Sequence, residues 1–442
     1  MIRLFLKSLL GIAMVISTIP AVFGQTVTDS SAKWNIHFQQ TIIPQYHPAF
    51  KAPYSDTFSL QSPSESQSSF TSTIFFGAKL WKGAEAYFNP EIAGGSGFSQ
   101  ARGVAGFPNG ETFRIGNPAP QIYLARLYIS QVISCSREQE SVEDDLNQLP
   151  GKLPRSYIRV SAGKFSIADF FDNNQYSHDP RTQFMNWAFM SHGAWDYPAN
   201  TRGYTIGVVT EFVRPQWALR ISSVMVPATA NGNKFDKRIS DARSETMELE
   251  KSYQLFGRPG TFRILGFFTQ ARMGNYRQAV LLADTAKPDI TATRMKGRTK
   301  YGLGINLQQE LNDYAGLFAR ASWNDGRNET WAFTEIDRSV SIGLSLNGNG
   351  WKRKEDVAGF ALAVNGISPA HRDYLKAGGH GFMIGDGHLN YANELIWEFF
   401  YNFHIHDRHF WITPGYQYIV NPAYNKDRGP VHVFSLRIHA AF

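Results

Sequence analysis

The chain has 442 residues with 44 Lys+Arg against 37 Asp+Glu, a formal net charge of +7, and it is 43% hydrophobic, 14% aromatic and only 18% charged. That apolar content excludes disorder as the main state, the mixed charges form no basic block that would mark a nucleic-acid partner, and past residue 25 no run approaches the ~20 apolar residues of a spanning helix. Strands that face lipid on one side and water on the other produce this combination of many aromatics, few charges and short apolar runs. Cys135 is the single cysteine, so neither an intramolecular disulfide nor a cysteine-based zinc site is available.

Residues 1–24 have the pattern of a signal peptide. Arg3 and Lys7 make a positive start, Leu9 to Ile19 is a short apolar stretch, Pro20 breaks it, and Val22, Phe23 and Gly24 precede Gln25. Its removal takes two positive charges from +7 and leaves +5, since it holds no acid. Residues 25–442 then make one domain, because a closed barrel cannot be divided without exposing strand edges.

Period-two alternation marks candidate strands at 33–43, 69–80, 84–91, 121–133, 156–165, 203–213, 216–226, 245–256, 260–270, 299–309, 315–323, 337–346, 356–366, 392–403, 409–420 and 431–442. That is sixteen, an even number, as a single-chain bacterial barrel requires. Outward loops at 44–68, 92–120, 166–202, 227–244, 271–298, 324–336, 367–391 and 421–430 are long, and the intervening turns are short. Long and short connections alternate in this way in outer-membrane barrels, with short periplasmic turns and long extracellular loops. The charged turn 134–155 is the exception in length. The final strand sets Phe434, Leu436, Ile438, Ala440 and Phe442 against Ser435, Arg437, His439 and Ala441 and stops on an aromatic. The expected fold is all-β, a single transmembrane antiparallel barrel in the outer membrane of a Gram-negative bacterium. Phe442 is expected to be the assembly signal read by the barrel-assembly machinery.

Alternation also assigns faces. Arg126, Arg159, Arg220, Arg320 and Arg437 fall opposite apolar residues, as do Glu85, Glu248, Glu250, Glu394 and Glu398. A charge facing lipid at the midplane costs about 2–4 kcal/mol, so these groups must face a watery lumen. In 121–133 the same rule puts Tyr123, Ala125, Leu127 and Ile129 on the lipid side. Fork-shaped guanidinium donors beside carboxylate acceptors suit vicinal hydroxyls. The loop 166–202 adds Phe171, Trp187, Trp195 and Tyr197 among acids and amides. A loop this long and aromatic is expected to fold inward and narrow the pore, with ring faces that stack on sugars. The Asp/Asn cluster at 169–179 lacks the spacing of a calcium loop, and neither metal nor cofactor is expected.

Four stretches resemble the carbohydrate-selective outer-membrane porin family, OprB-type, in a Bacteroidetes-like branch: Ala93-Gly-Gly-Ser-Gly-Phe-Ser-Gln-Ala-Arg102, Phe171-Asp-Asn-Asn-Gln-Tyr-Ser-His-Asp-Pro-Arg181, Gly193-Ala-Trp-Asp-Tyr-Pro-Ala-Asn-Thr-Arg-Gly-Tyr204 and Asn421-Pro-Ala-Tyr-Asn-Lys-Asp-Arg-Gly-Pro430. The resemblance implies a sixteen-stranded barrel that passes glucose and similar sugars by facilitated diffusion through a constriction lined by arginines and an acid. The partners expected are monosaccharides or small oligosaccharides and outer-membrane lipid. No interface signal decides whether a homo-oligomer forms. A general diffusion porin and a barrel enzyme are the alternatives; no nucleophile–base spacing singles out an active site.

Overall fold

The computed structural model describes residues 32–111, 118–405 and 409–442, so the expected signal peptide lies outside the described residues. The strands are β1 (Trp34–His47), β2 (Glu65–Trp81), β3 (Ala84–Gly95), β4 (Gln121–Ser134), β5 (Gln139–Val142), β6 (Gly151–Pro154), β7 (Tyr157–Phe165), β8 (Thr205–Arg214), β9 (Trp217–Met225), β10 (Arg243–Leu255), β11 (Arg258–Ala271), β12 (Arg298–Asn312), β13 (Ala315–Asn324), β14 (Arg338–Asn347), β15 (Val357–Gly366), β16 (Glu394–His404), β17 (Phe410–Val420) and β18 (Val431–Ala441). Among the described residues, all but β5 and β6 join one closed antiparallel barrel of sixteen strands, in chain order, with β18 returning to β1. This is the expected transmembrane fold. The seam pairs Gln39 with Ala441 and Tyr46 with Phe434. Beyond the last rung, the Phe442 amide donates to the Phe38 carbonyl at 2.8 Å, and the Phe442 ring stacks on Phe38 and His409. Closure leaves no edge amide facing lipid, where each unpaired polar group would cost several kcal/mol.

β1 and β2 are longer than their alternation suggests. His47 pairs with Glu65 and Tyr46 with Ser66, so residues 44–47 and 65–68, the two ends of the expected first outward loop, continue the ladder instead. Two strands in register lengthen together, since each added rung satisfies groups on both. Polar composition alone reads such a stretch as loop.

The side chains alternate as a barrel requires. On β18, Phe434 points outward, while Val431, Val433, Arg437 and His439 are buried inside. A β-bulge breaks the alternation in β4: Asn89 pairs with Arg126 but Pro90 pairs with Leu124, so Ala125 is the extra residue. Tyr123 therefore faces the lumen with Arg126, not the lipid with Leu127 and Ile129.

The lumen is not an open tube. Loop 166–204 enters it and carries a short helix, Trp187–Met190. Phe184, Ala188 and Phe189 from this loop pack with Val104, Ala105 and Phe107 against inward Phe318, Ala361, Ile396 and Phe400 of β13, β15 and β16. A second cluster joins Phe165, Phe170, Phe171, Trp195 and Tyr197 to Tyr128, Val209 and Leu265. Small and apolar inward residues on these strands give the loop a surface to bury.

Candidate functional site

The loop is held by charges from the barrel wall. The Arg320 guanidinium donates to Asp172 at 2.9 Å and to the carbonyls of Phe189 and Ser177 at 2.8 and 2.7 Å. Glu248 accepts the Asp172 amide at 2.7 Å. Glu398 accepts the amides of Met185 and Asn186 at 2.6 and 2.9 Å. Arg437 donates to the carbonyls of Pro180 and Gln183. Glu394 receives Ala105 and Gly106 from one loop and Ala423 from another. All five wall residues are at most 3% exposed. They point inward, but they lie beneath the loops. Burial would raise the Asp172 carboxyl, yet Arg320 and the neighbouring His192 hold it well below the usual range. Burial pushes His192 down to about 4.

A chamber of about 330 Å³ remains between loop 166–204 and the wall of β1 to β4. Arg126 grips Asp169 with both prongs of its fork, at 2.7 and 2.6 Å. The Tyr204 ring lies 5.5 Å from the Arg126 guanidinium. Arg181 bridges Glu111 at 2.8 Å and Glu91 at 3.2 Å. The Glu91 carboxylate also accepts from Tyr123 and Tyr204. Arg202 lies 4.0 Å over the Tyr123 ring and donates to Gln121. One further face is aromatic: Trp187 stacks on Phe333 at 5.4 Å, and Phe333 meets Tyr197 at 4.1 Å. The buried Arg202 Nη1 and His178 Nδ1 atoms have no hydrogen-bond partner among the described residues, and both residues line this chamber. Of the four loop aromatics singled out by sequence, Trp187 and Tyr197 line the chamber, while Phe171 and Trp195 are packed behind it.

The other charges form a belt along the inner wall. Arg159, Glu211, Arg220 and Glu248 are direct register partners on β7, β8, β9 and β10. Arg220 contacts Glu211, Glu248 and Glu250 at 3.1–3.3 Å, and Arg263 reaches Glu250 at 2.8 Å. Glu85 sits lower, accepting from the Tyr87 hydroxyl at 2.6 Å. Sequence reasoning did not select Glu91, Glu111, Arg202, Tyr204, Glu211, Arg263 or Phe333. Glu91, Glu211 and Arg263 carry the alternation signal and could have been found by it. Arg202, Tyr204 and Phe333 lie in or beside loops, where no periodicity points to a face.

Chemically, the chamber offers donors and acceptors beside ring faces, with Arg126 and Arg181 paired to carboxylates and Arg202 set against Gln121 and the Tyr123 ring. It offers no metal cage: among the described residues no group of three or more His, Cys, Asp and Glu is placed to hold a metal ion. Both Asp169 oxygens accept from Arg126, and Asp172 takes Arg320 on one oxygen and the Ser191 hydroxyl and His192 amide on the other.

Comparison with known proteins agrees with the barrel fold. Pseudomonas putida OprB in its high-pH structure superposes with a TM-score of 0.69 at 17% identity, covering 93% of this chain and 94% of that one. Its low-pH structure gives 0.50 at 13% identity, covering 93% of each. These identities speak for the fold alone. No curated protein sequence matches. The family model for the carbohydrate-selective porins matches residues 77–442, from the end of β2 through β18, and the chain belongs to that family, OprB.

Proposed function

We propose that this porin passes monosaccharides such as glucose passively through the chamber between loop 166–204 and the wall of β1 to β4. The observation that carries the reading is the composition of the chamber. Forked donors on Arg126 and Arg181 stand beside carboxylates, and the Trp187–Phe333–Tyr197 face stands with them. Hydroxyls replace water on the polar side while the ring's C–H face stacks on the aromatics. Because Arg126 and Arg181 are already paired with carboxylates, a neutral polar solute fits better than an ion.

The long loops face outward and the short turns face the periplasm. Residues 1–24 direct export, and the strand ending at Phe442 directs assembly. Arg126 works at the chamber itself, where Trp187 and Tyr197 supply the stacking face, while Glu85 and Arg159 line the wall of the barrel mouth below it and Arg220 and Glu250 belong to the paired belt on β9 and β10. Arg320, Arg437, Glu248, Glu394 and Glu398 act through the loops they hold, with Phe171 and Trp195 packed behind. The deciding experiment is single-channel conductance in planar bilayers with glucose titrated in. Saturable block supports the reading, conductance without block leaves a general porin, and a folded barrel with no conductance sinks it.

A further inference from the structure

Most of the short-end turns consist of a few residues, yet β4 and β7 are joined through 135–156. This segment forms the hairpin β5–β6, and its tip turns back into the barrel. Asn35 donates to Asp144 at 2.6 Å and to the Gln148 carbonyl at 2.9 Å. Lys79 donates to the Pro150 carbonyl at 2.8 Å, and Asn89 to Asn147 at 2.8 Å. Leu149 is buried at the same place. The tip is therefore a fixed partition: Asn147 lines the chamber on one side and a second cavity on the other.

That second cavity measures about 890 Å³ against about 330 Å³ for the chamber. Ligand pockets run from roughly 300 to 1,000 Å³, so the chamber suits one sugar ring and the vestibule more than one. The vestibule wall has the same chemical character as the chamber. Tyr87 and Tyr128 stack at 5.0 Å with 28° between their rings. Glu85 accepts from the Tyr87 hydroxyl. Arg159 lies 5.1 Å over the Tyr157 ring and 3.7 Å from Glu211. Arg159 is paired with Glu211, and the remaining charges of the lining are of both signs, Lys79, Lys82 and Lys152 with Glu85, Glu140 and Glu143, which favours no ion of one sign.

We propose that this vestibule is a second saccharide station in series with the chamber, taking a neutral disaccharide or longer chain. The inference rests on the sugar reading of the chamber. A solute leaving the chamber meets the hairpin tip and is held on the Tyr87–Tyr128 face, with Glu85 and Arg159 taking its hydroxyls.

The test is current-noise analysis in planar bilayers, with glucose and then maltose added at the short-turn side. The wild type should show two relaxation components with maltose. Arg126→Ala should weaken one, and Glu85→Gln, which keeps the side-chain shape, should weaken the other by about tenfold, as losing a charged hydrogen-bond acceptor does. Replacing 136–155 by an Asn-Gly turn should abolish the second component and keep the first. If that replacement does not fold, Glu85→Gln decides. A single component that Arg126→Ala weakens and Glu85→Gln leaves alone overturns the vestibule station while the sugar reading stands. Absence of block by either sugar overturns both.

Discussion

Arg126 and Arg320 are both inward arginines, yet their surroundings give them different tasks. Arg126 keeps 13% of its side-chain surface accessible and holds Asp169 at the chamber wall, whereas Arg320 keeps 2% and holds Asp172 beneath the loop. Arg126→Ala should weaken glucose block by about tenfold or more, because a charge-assisted contact is lost. Arg126→Lys should recover only part of it, since an ammonium cannot reproduce the fork. Unchanged block in both variants would remove Arg126 from the solute path. Asp172→Asn should instead act on stability. It strands the buried Arg320 charge, a loss of about 3–5 kcal/mol. A lowered thermal midpoint in near-ultraviolet circular dichroism would register it, and an unaltered midpoint would show that the carbonyls of Phe189, Ser177 and Asp172 around Arg320 suffice.

At the scale of the element, loop 166–204 is fixed because barrel carboxylates and guanidinium groups satisfy its backbone. A buried amide left without an acceptor costs about 1–3 kcal/mol. Glu398→Ala strands two amides, Met185 and Asn186. It should raise conductance and add flicker as the loop loosens, while Glu398→Gln should behave more nearly as wild type. A quiet, unchanged channel in Glu398→Ala would mean that the apolar packing of Phe184 and Phe189 holds the loop without it. Alternation makes Glu398 and Arg437 legible as inward residues. It does not say what they meet, because loop placement depends on partners hundreds of positions away. Tyr123 shows the complementary failure: a single extra residue at Ala125 reverses its face, and nothing in a period-two pattern marks the bulge.

For the whole molecule, closure and capping matter most. The long-loop end is tied by Asp337, whose oxygens contact His371 at 3.0 Å and take the Ser368 amide at 2.8 Å, with Lys300 at 3.9 Å. Burial opposes ionisation of Asp337, but His371 and Lys300 hold its carboxyl at about 2. A carboxyl held below its unfolded value of about 3.9 adds stability above that pH and loses it as the pH falls through the folded value. The cap should therefore stay closed to near pH 3 and open toward pH 2, read as hydrogen exchange in 325–337 and 367–376. Opening already at pH 5 would contradict the assignment. At the seam, Phe442→Ala removes the stacking on Phe38 and His409 and should lower the fraction of heat-modifiable barrel. An undiminished fraction would show that the backbone rungs close the seam alone.

The sequence by itself determined the barrel. Strand number, end-to-end alternation of loop lengths and the inward face of the charged residues all follow from a period of two and from the cost of a charge in lipid. Only the tertiary structure decided which inward charges line the chamber and which hold a loop, that Phe171 and Trp195 lie behind Trp187 and Tyr197, and that the turn 135–156 forms a partition in the barrel mouth. Facing lipid or water is a local property repeated along each strand, and it leaves a pattern in the residues. Loop placement is set by long-range contacts such as Asp172 with Arg320 and Asn147 with Asn89, and those contacts leave no period to read.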